Sequence, residues 1–186
     1  MAIPDFLQSL LTAHGPSGYE ATPAAAWRAG AAAWSDDVQS DQMGSSWARV
    51  PGTAGGPSLA LVGHIDEIGL LVTHIDDRGY LRFIGVGGWD PQILVGQRVL
   101  LATKGGPLAG VIGKKPIHLI KPDERKNAPE LKDLHIDIGA ADGDEARERV
   151  RVGDVAVIDG DPVELLGGRV AARSMDNRLG SFVVAE

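Results

Sequence analysis

The stretch "LVGHIDEIGL", residues 61–70, stops an apolar run at a histidine and follows it with two acidic residues. Those residue types suit metal chemistry. An imidazole ring binds a divalent cation through one nitrogen and commonly gives its other N–H to a carboxylate, which fixes the tautomer and strengthens the ligand. Side chains two apart on a strand point to the same side, so His64 and Asp66 at a strand end supply ligand and orienting carboxylate together. The same residues also read as a loop in which Asp66 caps a local turn. Asp176, in "SMDNRLG", stands between a short strand candidate and a helix candidate. It suits a helix N-cap as well as it suits a shared cation.

His64 needs an element to carry it. "SLALVGH", residues 58–64, is a nearly continuous apolar run of strand length, as expected for a strand covered on both faces. The C-terminal ends of such strands are where open α/β sheets hold ligands. Upstream, Phe6, Leu7, Leu10 and Leu11 form one helical stripe that "HGPSG" ends. A second helix is expected from about Ala24 to Trp34. It starts either from a Ser17–Glu20 capping box or from Thr22 as N-cap with Pro23 at the first helical position. Trp27, Trp34 and Trp47 read as core residues.

The texture changes between Ile68 and Gly167. Short strand candidates recur between glycine turns: "GLLVTHI", "YLRFIGV", "QRVLLAT", "PLAGVIG", "LHIDIG" and "VAVID". That density predicts a small barrel or sandwich. "GDEARERV" is the one helix candidate within it, and the charged, proline-bearing "KPDERKNAPELKD" reads as an exposed loop. Trp89, in "GVGGWDP", suits a structural turn better than the lining of a substrate entrance. His14 ends the first helix, where a histidine suits the dipole. His74 and His135 fall on barrel strands, and the sequence assigns no chemistry to His118, in "KKPIHL". The segment "LGSFVVAE" starts like a helix and predicts exposed Leu179, Phe182 and Val183, so the sequence reads as a truncated domain.

Composition narrows the partners. The chain has 186 residues, 44% of them apolar, enough for a real core. A net charge of −7 disfavours nucleic acid and anionic membranes. With no cysteine, any metal must sit on histidine, aspartate or glutamate. The N-terminus lacks a basic leader, and no apolar run approaches the ~18 residues of a membrane span. The cytoplasm is the expected location.

The blocks "GHIDEIGLLVTHIDDRGYLRFIGVGGWDPQILVGQRVLL", "GVIGKKPIHL", "LHIDIGA" and "SMDNRLG" resemble the glutamyl-aminopeptidase family of dinuclear metallopeptidases. That family includes the tetrahedral aminopeptidases and some proteins named endoglucanases. The resemblance runs from "GPSGYE" to the last residue. It implies an α/β fold: an incomplete α/β/α catalytic domain (1–67, returning at 168–186) with a small β-barrel inserted at 68–167. It implies an aminopeptidase that removes N-terminal residues from peptides with two divalent metal ions, zinc or cobalt. His64 would bind one metal, Asp66 would orient His64, and Asp176 would bridge both metals. It also implies self-association into dimers or dodecamers. The family's adjacent Glu-Glu pair, further aspartate and late histidine have no counterpart within these 186 residues. The expectation is an N-terminal portion that is inactive alone. The alternative is a non-catalytic, oligomer-forming fragment.

Overall fold

The computed structural model describes residues 3–186, with Glu124 described by its backbone alone. Met1 and Ala2, the first residues of the stretch read as an amphipathic N-terminal helix, lie outside the described residues. The chain divides into two units: Ile68–Asp159, and an outer unit made of Met1–Glu67 and Gly160–Glu186. Residues 160–167, expected with the inserted segment, group with the outer unit. The reason is local pairing: β9 (Val163–Leu165) pairs antiparallel with β10 (Arg169–Ala171).

The outer unit begins with α1 (Asp5–Thr12), which buries Leu7, Leu10 and Leu11 as their spacing predicts. Next comes α2 (Ala21–Ala31), preceded by Glu20 with no side-chain cap bond. Neither expected start is used. Pro23 instead sits in the first turn, where a missing N–H leaves nothing unpaired. Strands β1 (Asp37–Ser40) and β2 (Ser46–Arg49) form a two-stranded hairpin. The last element, α5 (Met175–Ala185), packs on α1 and α2. Leu10, Trp27 and Ala31 form the buried centre, with Phe6, Ile65 and Phe182 against them.

Three further expectations fail in this unit. "SLALVGH" is not a strand: residues 58–64 pair with no neighbour, and Leu59, Leu61 and Val62 are 85, 63 and 87% exposed. A strand buried on both faces requires neighbouring strands to accept its hydrogen bonds, and residues 58–64 join no sheet among the described residues. Trp34 and Trp47 are exposed, and only Trp27 is core, donating its indole N–H to the Ser181 carbonyl at 2.9 Å. At the chain end, Leu179 and Val183 are exposed as expected, but Phe182 packs on Phe6 with ring centroids 5.6 Å apart.

The inner unit is a closed six-stranded barrel in the order β3-β4-β7-β6-β5-β8. Its strands are β3 (Gly69–Ile75), β4 (Leu81–Val86), β5 (Arg98–Thr103), β6 (Gly106–Lys114), β7 (Leu134–Asp137) and β8 (Val155–Ile158). Alternation builds its core. Leu70 and Val72 point inward with period two, and a bulge between Val72 and His74 resets the parity so that Ile75 also faces in. Val99 and Leu101, then Leu134 and Ile136, fill the interior from facing strands. A fully buried aliphatic side chain of this kind contributes about 1.5–3 kcal/mol. Gly110 lets β6 approach: a methyl group there would fall 2.6 Å from the Ile136 side chain.

Two short helices complete the barrel unit. In α3 (Pro91–Leu94), Asp90 accepts from the Gln92 N–H. In α4 (Gly143–Arg149), the N-cap Asp142 accepts from the N–H groups of Asp144 and Glu145. Trp89 is structural, packing on the core and donating to the Gly69 carbonyl at 2.7 Å. His135 is half-buried against the Tyr80 ring, and its pKa is lowered by burial and then by the nearby Arg82 charge. Among the described residues no helix is long and apolar enough to cross a membrane.

Candidate functional site

His64, Asp66 and Asp176 meet within the outer unit. The His64 Nδ1–H donates to Asp66 Oδ1 at 2.8 Å, and His64 Nε2 lies 3.2 Å from Asp176 Oδ1. The His-x-Asp contact expected of a strand thus forms on an irregular segment. Among the described residues its only ladder is an isolated parallel bridge between Pro16 and Glu67. The imidazole is about half exposed and the Asp176 carboxylate is fully exposed.

Asp176 does not cap α5. It has non-helical φ/ψ, as does Asn177, and the regular helix starts beyond them. Asn177 Oδ1 accepts from the Gly180 N–H at 3.1 Å, which is the capping bond. The aspartate carboxylate is therefore free of helix duty and faces the imidazole.

Asp66 is gripped from its other side. The Ser17 hydroxyl donates to Asp66 Oδ2, so the carboxylate sits between a hydroxyl and an imidazole. Burial pushes the Asp66 carboxyl up, but the hydrogen bonds from Ser17 and His64 and the His64 charge outweigh it. Its pKa lies below the ordinary aspartate value. The sequence offers Ser17 as a possible helix cap; its place in "GPSGYE" is the signal that could have found it.

Sequence reasoning also passed over Glu67 and Arg178, each embedded in a block that carries a candidate residue. Arg178 is completely buried, and its Nη2 donates to Glu67 Oε1 at 3.0 Å. Arg173 Nη1 donates to both oxygens of the same carboxylate, at 2.5 and 2.6 Å. Desolvation lowers the Arg178 pKa, and the Glu67 charge opposes that shift. A groove of about 560 Å³ runs past the site, with Trp27, Trp34, Leu61, His64 and Asp66 in its walls.

The fold of this chain is shared with solved TET peptidases. The TET aminopeptidase of the marine sediment archaeon Thaumarchaeota archaeon SCGC AB-539-E09 is 38% identical and superposes with a TM-score of 0.92, over 97% of this chain and 51% of that one. The TET1 peptidase of Pyrococcus horikoshii, described as able to assemble into a tetrahedron or a large octahedral shell, is 35% identical with a TM-score of 0.86, over 97% of this chain and 54% of that one. Lysyl aminopeptidase of Pyrococcus furiosus is 31% identical over 153 residues, 81% of this chain and 44% of its own length. The M42 glutamyl aminopeptidase model matches residues 44–186, and the chain belongs to that family. It spans about half the length of the curated relatives it matches.

Proposed function

We propose that this chain supplies part of the metal centre of a metal-dependent aminopeptidase, with His64 and Asp176 as ligands and Asp66 orienting His64. One observation carries the reading. His64 already gives its Nδ1–H to Asp66, yet Nε2 faces a second carboxylate at 3.2 Å. In the neutral ring that pairing sets lone pair against lone pair, and either a proton or a shared cation relieves it. Two ligands on one tetrahedral zinc, each ~2.0–2.1 Å away, stand about 3.3 Å apart. The observed separation fits that spacing, and imidazole with carboxylate suits zinc or cobalt.

The donors are a partial set. Among the described residues no group of three or more His, Cys, Asp or Glu side chains is placed to hold a metal. Zinc sites normally take at least three protein ligands. When bound, a pair of divalent cations supplies Lewis acidity and a water of lowered pKa for attack on a peptide carbonyl. This chain's residues do the positioning: Asp66 fixes the His64 ring and tautomer, and Asp176 presents two exposed oxygens able to bridge. Aminopeptidase action on peptide N-termini belongs to the whole protein in this reading, and the 186 residues alone are inactive. The exposed apolar side chains of the barrel unit and the assemblies of the TET1 relative support self-association.

Zinc titration with a parallel peptidase assay tests the metal reading. The expected result is weak zinc binding that His64→Ala lowers at least tenfold, with no turnover. Tight binding of two zinc ions, or turnover that survives His64→Ala, would overturn it.

A further inference from the structure

Three segments build the site, and almost no ladder connects them: residues 10–17, 64–67 and 173–181. Something else must hold the His64–Asp66 pair against Asp176. We infer that the buried Glu67–Arg178 pair does so, as the positioning residues of the site. The inference rests on the metal-centre reading for its affinity readout alone.

The contacts converge on one guanidinium. Arg178 Nε donates to the carbonyl of Ile65, the residue between His64 and Asp66, at 2.9 Å. Its Nη1 donates to the carbonyls of Leu10, at 2.7 Å, and Ala13, and its Nη2 donates to Glu67. Leu10 lies in the last turn of α1, where carbonyls lack helical partners. A planar fork therefore ties the end of α1, the His64 segment and the Asp176 segment together, since Asp176 stands two residues before Arg178. A lysine, with a point charge on a flexible stem, cannot satisfy those directions at once.

Glu67 completes the clamp. It directly follows Asp66 and accepts from Arg178, from Arg173 and from the Gly15 N–H at 3.1 Å. Arg173 Nη2 reaches the Thr12 carbonyl at 2.7 Å, so the second arginine repeats the link to α1. Ser181 adds a tie by donating its hydroxyl to the His64 carbonyl at 2.9 Å. No buried side-chain nitrogen or oxygen among the described residues lacks a partner. Buried ion pairs are poor sources of net stability, because desolvation offsets attraction, and their best-attested use is to fix register. Here the register is the distance between a histidine and an aspartate far apart in sequence.

Arg178→Lys keeps the charge and loses the fork; Glu67→Gln keeps the shape and loses the charge. Two readouts apply to each variant: the metal-free crystal structure, and zinc titration followed by the His64 ring resonances. Both are made where circular dichroism shows intact helix. The expected result is loss of the close His64–Asp176 approach and a roughly 10–100-fold weaker zinc affinity, with the barrel strands unchanged. Folded variants that keep both the approach and the wild-type affinity would reduce the pair to a structural role and overturn the inference. If both variants unfold, Glu67→Asp decides, because it keeps the charge and draws the carboxylate back from Arg178 by one methylene. Weaker zinc binding at an unchanged thermal midpoint supports the inference, and unchanged binding overturns it. If the wild-type chain takes up no zinc, the metal-centre reading fails by itself. The metal-free separation of His64 and Asp176 in the variants then still decides the positioning role.

Discussion

The Asp66 carboxylate sits between two donors, and the balance between them is testable. The Ser17 hydrogen bond is the largest influence lowering the Asp66 pKa, working against burial, with His64 acting in the same direction. Ser17→Ala removes that influence and leaves the burial, so the Asp66 titration should move upward in carbonyl-detected NMR. An unchanged or lower pKa would mean that His64 alone sets it. The stability consequence follows by linkage. A folded carboxyl with a depressed pKa contributes stability above its unfolded value near 3.9, and that contribution is lost as pH falls through the folded value. Ser17→Ala should therefore raise the acid-unfolding midpoint of the outer unit, as followed by Trp27 fluorescence. Asp66 is about one-third exposed, and solvent screening keeps the effect modest.

The two units differ in how their elements satisfy the backbone. Barrel strands pair on both sides around a closed ring, which leaves no edge. Among the described residues the outer unit has two isolated hairpins beside its helices, and residues 58–64 have no strand partner. Protection from amide exchange follows cooperative hydrogen bonding and burial. Amides of β3, β5 and β8 should therefore exchange slowest, those of 58–64 fastest, and those of α1 and α2 in between. Equal slow exchange in the barrel and at Leu59–Val62 would show that this segment is paired in solution. An isolated two-stranded hairpin is marginal in water, so β9–β10 should join the fast class.

At the scale of the whole molecule, the barrel unit exposes Ile84, Ile93, Val111, Ile117 and Leu119. Single exposed apolar residues are ordinary, but several on one small unit favour association. The net charge of −7 opposes it weakly and is screened within about 8–10 Å at moderate salt. Multi-angle light scattering should find species above monomer mass that grow with protein concentration and salt. Monomer alone across a hundredfold concentration range would refute self-association. Closed symmetric assemblies are the common outcome for such contacts.

The barrel strands could be read from the sequence because their signals are local. Period-two alternation and glycine turns lie within each strand, and all six candidates appear as strands to within a residue or two at either end. The family blocks were legible for the same reason, since "GHIDEIG" and "SMDNRLG" are short and contiguous. Pairing between distant residues was not legible. "SLALVGH" has strand composition, but a strand exists only where a neighbour accepts its hydrogen bonds, and no composition supplies one. Asp176 lost the cap to Asn177 because φ/ψ at the helix start decides which side chain reaches back. Trp34 and Trp47 are as apolar as Trp27, and only packing determines which of them is covered. Glu67 and Arg178 are 111 residues apart, and either alone reads as a surface charge. Their burial against each other depends on the chain returning to the end of α1, which only the tertiary structure decides.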